Sequence, residues 1–203
     1  EMRVGVDFDN TIAGYDALFA ALAAEQRLFD EPPPSKRLLR DALRQREGGE
    51  ETWRRLQSMA YGARMRDAAL MDGADRFLDA CRTAGMEAVI VSHKTRFANF
   101  ESDGTDLRQA ALSWLAAHGF FADDGFGLRP DQVFFEDTRA DKVARIASLG
   151  CAVFIDDLEE VFQEPGYPAD TRKILFDRDG MTGESDGMTR CRHWDEIRHV
   201  VFG

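Results

Sequence analysis

The chain has 203 residues, 44% of them hydrophobic and 31% charged, with a formal net charge of −11. That length buries one good core with room for a subdomain, and the composition excludes a disordered or fibrous protein. The acidity argues against a nucleic-acid partner, whose phosphates require a basic surface, and favours small molecules.

No apolar run reaches the roughly 20 residues of a membrane helix, and the first residues enter a strand pattern without a signal-peptide profile, so no membrane partner and a cytoplasmic location are expected. Cys81, Cys151 and Cys191 are far apart, form no CxxC pair, and read as reduced structural thiols. The oligomeric state has no signature in the sequence.

Arg3-Val4-Gly5-Val6 is the first strand, and it runs into Asp7-Phe8-Asp9-Asn10-Thr11. Positions i and i+2 of a strand share a face, so Asp7 and Asp9 are expected to project together while Phe8 enters the core. Two carboxylates held that close repel unless a cation or a transferable proton lies between them. The pair therefore suggests a divalent metal, acid-base chemistry, or both.

From Ala13 to Asp72 the pattern is helical with no convincing strand. Ala17 to Leu22, Lys36 to Leu43 and Trp53 to Met59 read as helices, broken by Pro32-Pro33-Pro34 and Gly48-Gly49. This stretch, 13–72, is expected to be an inserted helical subdomain, and 1–12 with 73–203 the core. Helices are predicted over 74–84, 106–118 and 139–148, the first two ending at Gly85 and Gly119, with Thr105-Asp106 capping the second.

Between them lie the apolar strands Ala88 to Val91, Val133 to Phe135 and Ala152 to Ile155, and a weaker Lys173 to Phe176. Short continuous apolar strands alternating with helices predict a parallel sheet buried on both faces, of the α/β, Rossmann-like doubly wound class. Arg178 to Thr189 reads as a loop and Trp194 to Val201 as a terminal helix. Ligands of such sheets bind beyond the carboxyl ends of the strands. Those ends are polar here: Asp7 and Asp9, then Ser92-His93-Lys94, Glu136-Asp137 and Asp156-Asp157.

Each strand end alone has a plain explanation, since Ser92 can cap a segment, Asp156 and Asp157 can cap a helix, and Lys142 can be a solvated lysine. Their order changes the reading. Asp7-Phe8-Asp9-Asn10-Thr11, Ile90-Val91-Ser92, Lys142 and Phe154-Ile155-Asp156-Asp157 resemble the four motifs of the haloacid dehalogenase superfamily, over roughly residues 3 to 160. Only four of the 26 basic residues are lysines (Lys36, Lys94, Lys142 and Lys173), and two of them fall at these strand-end sites.

The resemblance implies in-line phosphoryl transfer. Asp7 would be the nucleophile, forming an aspartyl-phosphate, and Asp9 the acid-base that protonates the leaving oxygen and later activates water. Dehalogenases of the family lack an acid at the Asp9 position, so its presence points to phosphate esters. Magnesium would be held by the Asp7 carboxylate, the Asp9 backbone carbonyl and Asp156, with Asp157 in the outer shell. Ser92, with His93 and Lys94, would bind phosphate, and Lys142 would balance charge.

The insertion corresponds to a C1-type cap, a lid that reads the leaving group. Its Arg37, Arg40 and Arg44 recur at helical spacing and read as a solvated face. The resulting expectation is a magnesium-dependent phosphohydrolase acting on a small phosphorylated metabolite. A phosphomutase is the alternative within the family, and a catalytically silent binding or regulatory module the alternative outside enzymes. A phosphonate hydrolase would need a Schiff-base lysine in the cap, where Lys36 stands in a Pro-rich segment expected to be exposed.

Overall fold

The computed structural model describes residues 2–98, 104–180 and 187–203. In chain order the first half contains β1 (Arg3–Val6), β2 (Ala13–Gly14), α1 (Asp16–Glu25), α2 (Lys36–Arg44), α3 (Gly49–Tyr61), β3 (Ala69–Leu70), α4 (Ala74–Thr83) and β4 (Glu87–His93). The second half contains α5 (Leu107–Ala117), β5 (Val133–Glu136), α6 (Arg139–Leu149), β6 (Val153–Asp156), α7 (Glu159–Gln163), β7 (Arg172–Phe176), β8 (Met188–Cys191) and α8 (Trp194–Phe202).

Six strands form one sheet in the order β5-β4-β1-β6-β7-β8, and every pairing is parallel. Counted along the sheet's own strands this is 3-2-1-4-5-6, the doubly wound order, whose switch point lies between β1 and β6. Gly5 shows how close that contact is. It sits opposite Phe154, and a Cβ there would lie 2.4 Å from the Phe154 ring, so the central strand accommodates the ring by having no side chain.

The central strands of the sheet are covered on both faces, which is why they read as continuous apolar runs. On one face Val143 and Ile146 of α6 and Val161 and Phe162 of α7 pack with Val89, Val91, Phe154 and Leu175. Elsewhere in the core Phe77 of α4 meets Trp194 of α8, ring centres 5.0 Å apart. Fully burying each such side chain stabilises the fold by roughly 1.5–3 kcal/mol. All three cysteines are free and buried, and burial pushes the Cys81 thiol up to about 12 and Cys151 and Cys191 to about 11, so they are packing groups.

By contact the chain divides into two compact units. The first, 1–12 with 70–94 and 116–203, holds the parallel sheet; the second is 13–69 with 95–115. In the second, Phe19 stacks on Trp53 at 4.8 Å over buried Leu18, Leu22, Leu39, Leu43 and Leu56. The Ser35 hydroxyl accepts the Leu38 N–H to start α2.

Four local features differ from the sequence reading. The described part of 95–115, expected in the core, groups with the helices of 13–69, and buried Trp114 there donates its indole N–H to the Ala68 carbonyl at 2.8 Å. Part of the expected loop is strand: Met188–Cys191 pairs with β7, its Gly-Asp-rich lead-in having hidden a short, partly polar edge strand. Residues 181–186 of that loop lie outside the described residues. Two-residue strands β2 and β3, too short for a periodicity to register, pair with each other. Lys36 is not exposed: its Nζ lies 5.3 to 6.0 Å from the Tyr61, Phe19 and Tyr15 ring centres and donates to the Tyr61 hydroxyl at 2.5 Å.

Candidate functional site

The site lies wholly in the sheet-bearing unit, beyond the carboxyl ends of β1, β4 and β6. β1 ends at Val6, and the Asp7 N–H still donates to the Ile155 carbonyl at 2.9 Å, which anchors Asp7 against β6. The chain then turns: Asn10 takes φ of 61°, and the Ile12 N–H returns to the Phe8 carbonyl at 3.0 Å. Asn tolerates this left-handed conformation better than most residues. Trp194 Nε1 donates to the Thr11 carbonyl at 3.0 Å and fixes the turn from behind.

Lys142 comes from the first turn of α6. The Thr138 hydroxyl caps that helix by accepting the Asp141 N–H at 3.0 Å, and the Lys142 N–H donates to the Thr138 carbonyl. A cation in a first turn opposes the helix dipole, so its placement is explained by what it meets. Its Nζ donates to Asp7 Oδ1 and Asp156 Oδ2, both at 2.6 Å. All three side chains are buried, Lys142 at 2% and Asp156 at 0% exposure.

Asp156 also accepts the Leu158 N–H at 3.0 Å. The Thr11 hydroxyl lies 3.2 Å from Asp7 Oδ2 and 3.4 Å from Asp157 Oδ1, within reach of both carboxylates. Asp7, Asp156 and Asp157 each present an oxygen such that all three lie within 4.8 Å of one another.

Charge and burial pull against each other here. Burial pushes the Asp7 carboxyl up to about 7, opposed by Lys142 and reinforced by Asp156 and Asp9. For Lys142 burial acts downward, but the Asp156 and Asp7 carboxylates more than offset it and hold the ammonium above its ordinary range. Three clustered carboxylates, two of them on one buried ammonium, leave an acidic cluster suited to a hard divalent cation.

Asp9 pairs with a different lysine, Lys94, whose Nζ lies 2.8 Å from Asp9 Oδ2. Lys94 follows β4 and is 5% exposed. Ser92, at the end of β4, is 1% exposed. His93 is exposed, and its Nε2 donates to the Asp137 carbonyl at 3.0 Å, a loop contact. Of the arginines at helical spacing in α2, Arg40 pairs with Asp41 and Arg44 with Glu50.

The structure thus brings Asp7, Lys142, Asp156 and Asp157 together and joins Asp9 to Lys94. It also adds Thr11, which the sequence reading quoted in the first motif without giving it a task. These features define a doubly wound α/β protein with a lysine-bridged acidic cluster at its switch point.

Its fold is similar to that of solved structures named as HAD-superfamily hydrolases. Similar structures include Mycobacterium tuberculosis Protein Tyrosine Kinase A, with a TM-score of 0.62 at 17% identity, covering 100% of this chain and 98% of that one. The HAD-hydrolase YfnB of Bacillus subtilis, bound to magnesium, matches with a TM-score of 0.58 at 14% identity and full coverage of both chains. A phosphoserine phosphohydrolase-like protein from Francisella tularensis matches with a TM-score of 0.58 at 11% identity, again over both whole chains. No protein-family model and no curated protein matches the chain.

Proposed function

We propose that the protein is a magnesium-dependent phosphohydrolase acting on a small phosphorylated metabolite through an aspartyl-phosphate on Asp7. The neighbours' names range from kinase to phosphohydrolase-like, so the fold alone does not choose the reaction. The observation that carries the reading is the Lys142 bridge between Asp7 and Asp156, with Asp9 held separately two residues from Asp7. One carboxylate is placed for attack and a second, differently partnered, for proton transfer.

In this reading Asp7 attacks phosphorus in line with the ester oxygen, and Asp9 gives its proton to that oxygen as the bond breaks. Water, relieved of a proton by Asp9, then hydrolyses the acyl phosphate. Ser92 and nearby backbone N–H groups hold the phosphoryl oxygens, and Lys142 balances the charge of Asp7 and the transferred group. Magnesium fits the donor set of Asp7, Asp156 and Asp157, supplemented by the Asp9 backbone carbonyl. Once bound it supplies Lewis acidity and keeps Asp7 ionised. The acidity of the chain favours a small ester over nucleic acid, membrane or protein phosphate as the substrate.

Hydrolysis of p-nitrophenyl phosphate with and without magnesium tests this reading. Magnesium-dependent turnover that disappears in Asp7→Asn is expected. A folded wild type inactive under both conditions would leave the silent-module alternative standing, and phosphoryl return to a second hydroxyl would indicate the mutase.

One observation favours a second reading. Lys36 sits among Tyr15, Phe19 and Tyr61 in the helical unit, so the exposure that argued against a phosphonate hydrolase is absent. Borohydride trapping of an aldehyde phosphonate on Lys36 would support it, and lack of trapping would remove it.

A further inference from the structure

Asp9 has a lysine of its own, and the way that lysine is mounted suggests what it does. Lys94 follows the last residue of β4, and β4 is the sheet neighbour of β1. Its backbone N–H donates to the Glu136 carbonyl at 2.9 Å, continuing the β4–β5 ladder and fixing the root of the side chain. The ammonium lies 5.6 Å from the Phe8 ring centre and reaches Asp9 Oδ2 at 2.8 Å. The Lys94 side chain is 4% exposed and that of Asp9 20%, so the cation is buried while the carboxylate keeps an open side. A short acid at the edge of solvent samples several rotamers, whereas a buried, rigidly rooted cation selects one.

We propose that Lys94 is a positioning residue that holds the Asp9 carboxyl at the orientation from which it protonates the ester oxygen. The inference rests on the phosphohydrolase reading and replaces the phosphate-binding role suggested by sequence position. In the step concerned, Asp7 Oδ forms a bond to phosphorus while the bond from phosphorus to the ester oxygen breaks. The proton of Asp9 moves to that oxygen, and the alcohol leaves neutral. Asp9 becomes a carboxylate as this happens, and the Lys94 ammonium is already placed to meet the new charge. Lys142, on α6, serves Asp7 together with Asp156 at the end of β6, while Lys94, just after β4, serves Asp9.

The test is the dependence of kcat/KM on leaving group in Lys94→Met. An alkyl phosphate needs the proton and p-nitrophenyl phosphate does not. General acid catalysis contributes about 10²–10⁴-fold. A loss of roughly 10–100-fold on the alkyl ester is expected, with less than about threefold on the p-nitrophenyl ester and unchanged inhibition by inorganic phosphate. Asp9→Asn should lose more on the alkyl ester than on the p-nitrophenyl ester, and the double variant should be no worse than Asp9→Asn alone. If Lys94→Met does not fold, Lys94→Gln is held to the same criterion. Equal loss on both esters, or weakened phosphate inhibition, would overturn the positioning role. A folded wild type that hydrolyses neither ester would overturn the phosphohydrolase reading, and this inference with it.

Discussion

Replacing Lys142 by alanine removes the one ammonium that donates to both Asp7 and Asp156, at 2.6 Å each, in a site where all three side chains are buried. The two carboxylates then face each other across the vacated space. One-sided removal of a buried ion pair costs about 3–5 kcal/mol. For a chain of 203 residues each kcal/mol corresponds to about 2–4 °C, so the metal-free variant should melt roughly 6–20 °C below the wild type. The gap should be wider at pH 8 than at pH 5, because Asp7, with a pKa near 7, takes up a proton at the lower pH. Magnesium should restore part of the loss by supplying positive charge, while turnover stays lower by on the order of 10²–10³, as for loss of one preorganised donor. Thermal unfolding at both pH values, with and without magnesium, together with turnover of p-nitrophenyl phosphate, provides the assay. A Lys142→Ala protein that melts, without metal, within about 2 °C of wild type at pH 8 and keeps magnesium-supported turnover within about threefold would refute the reasoning, including the assignment of the buried triad.

The raised Asp7 pKa also fixes a sign for the wild type. Its contribution to metal-free stability is full below the ordinary carboxylate value of 3.8 and is lost as pH rises through about 7. Magnesium binding, which needs the ionised form, should therefore raise the melting temperature more at pH 8 than at pH 6; at a hundred times its Kd the gain is about 2.7 kcal/mol. A magnesium effect that shrinks over that range would contradict the cluster as the metal site. Asp157→Asn should weaken magnesium binding by about 10–100-fold, measured by calorimetry, while turnover recovers at saturating metal. Gly5→Ala should destabilise the fold by about 1–3 kcal/mol in denaturant titration, because the new methyl would lie 2.4 Å from the Phe154 ring and 3.0 Å from Cys151 Sγ. Wild-type stability in that variant would mean the β1–β6 contact is looser than described.

The parallel sheet was legible because its central strands are buried on both faces, which leaves runs such as Ala88 to Val91 with no polar alternation to misread. β8 escaped notice for the opposite reason: at the sheet edge, Met188-Thr189-Arg190 is only partly buried and carries no apolar run. The strand-end acids stood out as sequence features, but their partners did not. That Lys142 bridges two carboxylates while Lys94 serves a third depends on sheet order, which brings β6 to one side of β1 and β4 to the other. Lys36 looked exposed because Pro32-Pro33-Pro34 precedes it, yet the same break returns the chain to Tyr15 and Tyr61, a contact set by tertiary packing.

The most direct test of the account follows the phosphoryl group itself. Wild-type protein mixed with a phosphate ester and magnesium, quenched in acid during turnover and mapped by mass spectrometry, should carry one phosphoryl group on the peptide containing Asp7, and Asp7→Asn should carry none. Phosphoryl on another residue, or turnover by Asp7→Asn at the wild-type rate, would contradict Asp7 as the nucleophile.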